Sequence, residues 1–124
     1  MSKKYTKEHE WIEQTGDNWR VGITNFAQEQ LGDVVVVELP DAGRAVAAGE
    51  ECMAIESVKA ASDIYSPVAG TISSVNTALE DNPALVNESP ENEGWLFELS
   101  GVDASAVEGL MDSDAYDKFV EETQ

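Results

Sequence analysis

The sequence predicts a mainly β fold, a sandwich or barrel of short strands with one short helix near residues 25–31 and a helical C-terminus. Three observations point there. Stretches of four to six residues rich in β-branched and aromatic side chains recur through the first hundred positions. Turn-forming Gly, Pro, Asn and Asp separate them at short intervals, and no strand-then-long-helix rhythm of a parallel βαβ sheet is present. With 124 residues, one domain spanning 1–124 fits the usual size, and 42% hydrophobic with 26% charged residues suits a folded chain with a modest core.

Taken in order, Trp11–Gln14 and Trp19–Ile23 read as a hairpin closed by Thr15-Gly16-Asp17-Asn18. Asn25 followed by Gln28 resembles a capping box, and Phe26, Gln30 and Leu31 lead to Gly32, a suitable residue just past a helix end. Val34 to Val37, the longest conspicuous apolar run, is expected to be a buried strand reaching Leu39. Leu39-Pro40-Asp41-Ala42-Gly43 and Ala47-Ala48-Gly49-Glu50 supply turns on either side of a brief strand over Arg44 to Val46. Further strands are expected at Glu51 to Ile55, Ser62 to Ser66, Thr71 to Asn76 and Trp95 to Leu99. Residues 81–94 are polar, hold Pro83 and Pro90 and lack a period, so a long surface loop is expected. Beyond Gly101 the helical spacing of Val107, Leu110 and Met111, and then of Tyr116, Phe119 and Val120, predicts a helical segment over about 103–122.

Charge narrows the function. Seven basic against 25 acidic residues leave a net charge of −18, which repels phosphate backbones and anionic lipid, so neither nucleic acid nor a membrane is an expected partner. Residues 80–124 alone carry 13 acids and one base. The longest apolar run is far below the roughly 20 residues a spanning helix needs. Early lysines without an apolar stretch behind them do not form a targeting peptide, and the expectation is a cytoplasmic chain. One Cys and one His form neither an intrachain disulfide nor the usual four-ligand zinc site, so no metal is expected. Cys52, within apolar Cys52-Met53-Ala54-Ile55, reads as a core residue rather than a nucleophile paired with His9. Asp112-Ser113-Asp114 begins like a calcium loop but has Asp117 where the sharp turn needs Gly, and reads as a helix start. Asn87-Glu88-Ser89 fits a glycosylation sequon whose chemistry would require secretion. The common nucleotide, dinucleotide and metalloprotease motifs are absent, and no catalytic residue is expected.

The informative segment is Glu51 to Gly70, two apolar strands around a polar turn centred on Lys59. Lys59 is the only lysine between Lys7 and Lys118, so the middle of the chain offers a single primary amine for acylation. The turn has neither Asn-Gly nor Asp-Gly, and beside β-branched Val58 a type I geometry is expected rather than type I′.

Glu56-Ser57-Val58-Lys59-Ala60 followed by Ser66-Pro67-Val68-Ala69-Gly70 resembles the attachment hairpin of lipoyl and biotinyl carrier domains. The sequence ESVKA, with His9-Glu10-Trp11, Val21-Gly22-Ile23-Thr24, Leu31-Gly32-Asp33, Val37-Glu38-Leu39-Pro40 and Gly94-Trp95, resembles the glycine cleavage H proteins in particular, over roughly Tyr5 to Phe119. Biotin carriers typically have Met on both sides of the modified lysine, whereas Val58 and Ala60 stand here, so a biotinyl carrier is the alternative. An unmodified acidic interaction module on the same fold is another.

The resemblance implies a flattened β-barrel or sandwich of the lipoyl/biotinyl carrier type, and a carrier rather than an enzyme. It implies lipoic acid attached to Lys59, whose arm would shuttle an aminomethyl group from a pyridoxal-phosphate glycine decarboxylase to an aminomethyltransferase and electrons to dihydrolipoyl dehydrogenase. A lipoate ligase or a lipoyl/octanoyl transferase would install it. For that enzyme the resemblance points to Glu56, three residues before Lys59, Gly70, eleven after it, and Gly43, sixteen before it. Residue by residue, both glycines also read as turn formers. For a cleft that holds the loaded arm, the resemblance points to Glu10 and Asp63, with Glu8 and Gln30 standing where other members often have Ser and His.

Overall fold

A computed structural model describes residues 3–123; Met1, Ser2 and Gln124, included in the expected single domain, lie outside the described residues. Among the described residues, nine strands form two antiparallel sheets. The larger sheet contains β1 (Lys4–Tyr5), β2 (Glu10–Thr15), β3 (Asn18–Ile23), β9 (Phe97–Ser100), β8 (Gly70–Val75) and β5 (Ala45–Val46), side by side in that order. The smaller contains β4 (Val34–Glu38), β6 (Glu51–Ser57) and β7 (Ala61–Tyr65), with β6 in the centre. Among the described residues there are also five helices: α1 (Asn25–Leu31), α2 (Ala78–Asp81), α3 (Leu85–Glu88), α4 (Ala104–Glu108) and α5 (Ser113–Thr123). Ile12, Val21, Ile72, Phe97 and Leu99 from the larger sheet and Ile55 from the smaller are all fully buried in one core, which makes the fold a sandwich.

The expected β2–β3 hairpin forms, and its two-residue Gly16-Asp17 turn has positive φ only at Gly16, the requirement of a type II′ turn. The helix expected near 25–31 also forms, but its cap is Thr24 rather than Asn25. Thr24 is extended and its hydroxyl accepts Ala27 N–H at 3.2 Å, whereas Asn25 lies inside the first turn and accepts from the Gln28 side chain.

Two expectations need larger corrections. The run Val34 to Val37 is only half buried: Val34 and Val37 face the core, while Val35 is 49% and Val36 42% exposed. A register shift between Val34 and Val36 turns both residues outward, and β4 lies at a sheet edge with one face open to solvent. Residues 81–94 are not a structureless loop. They contain α3 and the end of α2, and Leu79 and Val86 of these helices are fully buried under the sandwich. Four-residue helices are too short to show a period, which is why the pattern was silent.

The helical C-terminus is two helices separated by Met111, whose backbone exchanges two hydrogen bonds with Tyr5 at 2.8 and 3.1 Å. Asp112 starts α5 by accepting Ala115 N–H on its carboxylate at 2.8 Å, as a helix start should. Cys52 is buried, its thiol pushed up to about 12 chiefly by desolvation, with Sγ against the Ile64 carbonyl at 3.5 Å.

Candidate functional site

Lys59 stands exposed at the tip of the β6–β7 hairpin, and its neighbour Val58 is 67% exposed. Among the described residues only His9 combines a side chain with positive φ, so the Val58-Lys59 turn excludes the type I′ geometry. Ser57 holds the turn locally. Its backbone N–H donates to the Ala60 carbonyl at 2.8 Å, and its hydroxyl lies 3.3 and 3.1 Å from the donating N–H groups of Lys59 and Ala60. From outside the hairpin, the Asp33 carbonyl accepts Val58 N–H at 3.0 Å.

The lysine stem lies over the end of α1. Gly32, with φ of 79°, leaves the space: a Cβ there would stand 2.9 Å from Lys59 Cε. Gly32 was legible only as a helix terminator; its second role, as the seat of the lysine stem, required the fold.

The other candidate positions divide between the two sheets. Glu56 is exposed on β6 and faces Val36 and Ala61 across the ladder, beside Lys59. Gly43 and Gly70 both lie along the β5–β8 edge of the larger sheet: Gly43 N–H donates to the Ile72 carbonyl at 2.6 Å and Gly70 pairs with Val46. Gly43 has φ of 93°, as a turn glycine should. Gly70 does not use a left-handed conformation. It lies in a strand, where a Cβ would come within 3.0 Å of both the Ser100 carbonyl oxygen and Val102 Cγ2, so close packing selects glycine.

Beneath the hairpin opens a cleft of about 350 Å³ between α1 and β7. Its floor is apolar, with Ile23, Phe26, Ala27, Leu31 and Ile64, and Glu8, Gln30 and Asp63 supply polar groups. The fourth expected cleft residue, Glu10, is not on this wall. It is 2% exposed, and its carboxylate accepts Tyr65 N–H at 2.9 Å and the Thr6 hydroxyl at 3.2 Å. Desolvation pushes its pKa up to about 7, against the downward pull of those two bonds. His9, which the pattern did not mark for the site, lines the cleft. Its Nδ1 lies 2.7 Å from Tyr116 Oη, and burial lowers its pKa.

An exposed lysine at the tip of a hairpin in a two-sheet β sandwich is the arrangement of a swinging-arm carrier domain of the lipoyl/biotinyl class. Comparison with known proteins gives the family. The family model described as glycine cleavage H-protein matches residues 3–123, and the chain belongs to that family. It is 53% identical to a glycine cleavage system H protein of Enterobacter sp. (strain 638) over 119 residues, covering 95% of this chain and 92% of that one. It is 50% identical to the H protein of Parvibaculum lavamentivorans over 121 residues, covering 98% and 97%. Among solved structures, a glycine cleavage system H protein from Mycobacterium marinum superposes with a TM-score of 0.83 at 39% identity, covering 98% of this chain and 96% of that one. The chain is therefore a non-catalytic carrier component of glycine cleavage, from a family that carries lipoate. Its partners belong to that system, and no helix among the described residues is long and apolar enough to cross a membrane.

Proposed function

We propose that Lys59 is the lipoyl attachment site and that the chain shuttles an aminomethyl group from a pyridoxal-phosphate glycine decarboxylase to an aminomethyltransferase, and electrons to dihydrolipoyl dehydrogenase. The observation that carries this reading is the isolated, exposed amine seated on Gly32 above a cleft with an apolar floor. A lipoate ligase or lipoyl/octanoyl transferase would present an activated acyl group; the Nζ ammonium gives up one proton to attack as the neutral amine and a second as the amide forms and the activating group leaves. Bound lipoate supplies a disulfide–dithiol couple that takes up and releases the one-carbon unit and two electrons.

The protein's own part is placement. Gly32 and Ser57 hold the lysine stem and its turn, so that the arm pivots from a fixed base. The floor of Ile23, Phe26, Leu31 and Ile64 accepts an aliphatic arm and excludes water, while the Glu8 and Asp63 carboxylates attract a cationic amine and Gln30 offers its amide oxygen. Glu10 braces this arrangement from beneath through Tyr65. For the modifying enzyme, Glu56 supplies a charge beside the lysine, while Gly43 and Gly70 shape an edge of the other sheet. The family match leaves the biotinyl alternative without support. Reconstitution with the three enzymes tests the reading: the modified chain should sustain glycine turnover and the unmodified chain should not. Equal turnover with both would overturn it.

A further inference from the structure

We propose that Asn87 is a positioning residue for the Lys59 hairpin, acting as a clamp on the α1–β4 connection that carries the hairpin tip. This deepens the carrier reading and rests on it for its enzymatic readout.

The geometry is a chain of hydrogen bonds. Asn87, on α3, donates from Nδ2 to the Gly32 carbonyl at 2.8 Å and to Gln28 Oε1 at 3.0 Å, and its Oδ1 accepts Val34 N–H at 2.8 Å. Two acceptors face Nδ2 and one donor faces Oδ1, so the partners fix the orientation of the amide. One side chain thereby satisfies the backbone on both sides of Asp33. The Asp33 carbonyl in turn accepts Val58 N–H, one residue before Lys59, and Gly32 lies directly beneath Lys59 Cε. Among the described residues, Val58 and Lys59 make no other backbone hydrogen bond outside their own turn. Asn87 is held in turn by Val86, fully buried beside it, so the clamp is anchored in the core while the amine it positions stays in water.

A loosened connection lowers the fraction of chains that present the tip in the geometry a modifying enzyme binds, which raises apparent KM and leaves kcat alone. Asn87→Asp is nearly isosteric. It keeps an acceptor for Val34 N–H but sets a carboxylate oxygen against the Gly32 carbonyl and Gln28 Oε1. Hydrogen exchange of the full-length unmodified chain should then speed up at the Val34 and Val58 amides by at least about fivefold, the factor expected when a buried polar pairing is lost, with Ile72 N–H in the other sheet unchanged. With a lipoate ligase supplied with lipoate and ATP, KM for the variant should rise by about the same factor at constant kcat. Gln28→Ala, which removes only the side partner, should move neither. If Asn87→Asp does not fold, Asn87→Ala carries the same measurements. Unchanged Val58 exchange and unchanged KM in a folded Asn87 variant would overturn the clamp. Faster exchange in a variant whose parent chain the ligase leaves unmodified would keep the clamp and sink the carrier reading.

Discussion

At the hairpin tip, Val58 and Lys59 are exposed, and the turn is held by a hydroxyl one or two residues away and one carbonyl of the α1–β4 connection. At the seam where β1 and β2 meet α5, Tyr5, Trp11 and Tyr116 are buried together, with the Tyr5 and Tyr116 rings stacked at 4.8 Å. The bonds there span 79 to 107 residues: Trp11 Nε1 donates to the Pro90 carbonyl at 3.0 Å, and Tyr116 Oη lies 2.7 Å from both Thr24 Oγ1 and His9 Nδ1. The tip offers an accessible group on a short stiff support. The seam joins the two ends of the described chain into the support itself. Glu10 links the seam to the base of the hairpin, reaching the far end of β7 through Tyr65 and the N-terminal turn through Thr6.

Four substitutions break or sharpen this contrast. Lys59→Arg keeps a cation and removes the amine, so lipoyl transfer and glycine turnover should fall to background while the denaturation midpoint corresponds to a change within about 0.5 kcal/mol. A large loss of stability would mean that the tip is part of the support after all. Trp11→Ala does the reverse: truncating a fully buried aromatic should cost about 3–5 kcal/mol in chemical denaturation, with the remaining folded chains still modified at the normal rate.

Glu10→Gln probes the link between the regions through pH. Folded Glu10 keeps its proton up to about 7, whereas an unfolded glutamate releases it near 4.5. Between those values the folded state binds more protons, so the wild-type chain loses stability as pH rises and levels off above about 7. Glutamine has no proton to lose, so the variant should match wild type near pH 4 and exceed it by roughly 3 kcal/mol above pH 8. Parallel stability profiles would contradict the buried-carboxylate account. The smallest effect is Tyr116→Phe, which strips the hydroxyl shared by Thr24 and His9 and should cost about 1–2 kcal/mol by thermal or urea unfolding, with modification at Lys59 unchanged.

The contrast also separates what was legible in the chain from what was not. The β2–β3 and β6–β7 hairpins, α1 and the special position of Lys59 are written in contiguous residues, where alternation and turn chemistry act over a few positions. β1 was missed because two residues, Lys4–Tyr5, carry no pattern and pair only once β2 and Met111 are in place. Val35 and Val36 read as core because a bulge has no apolar signature of its own. Glu8, Gln30 and Asp63 line one cleft, whereas Glu10 points inward, where Thr6 and Tyr65 offer donors that no local pattern records. Gly70 follows a Pro-containing segment that suggests a turn, but it lies in a strand, where Ser100 and Val102, about thirty positions away, approach closely. The tie through Asn87 joins α3, α1 and β4 and lay in the stretch with no readable period.

The central claim is that this chain carries its acyl group on one amine, that of Lys59. Intact-mass measurement followed by peptide mapping, after incubation of the full chain with a lipoate ligase, lipoate and ATP, tests it most directly. The wild-type chain should gain the mass of one lipoyl group, located on the peptide containing Lys59, and the Lys59→Arg chain should gain none. A chain that stays unmodified, or one modified equally at Lys3, Lys4, Lys7 or Lys118, would contradict it.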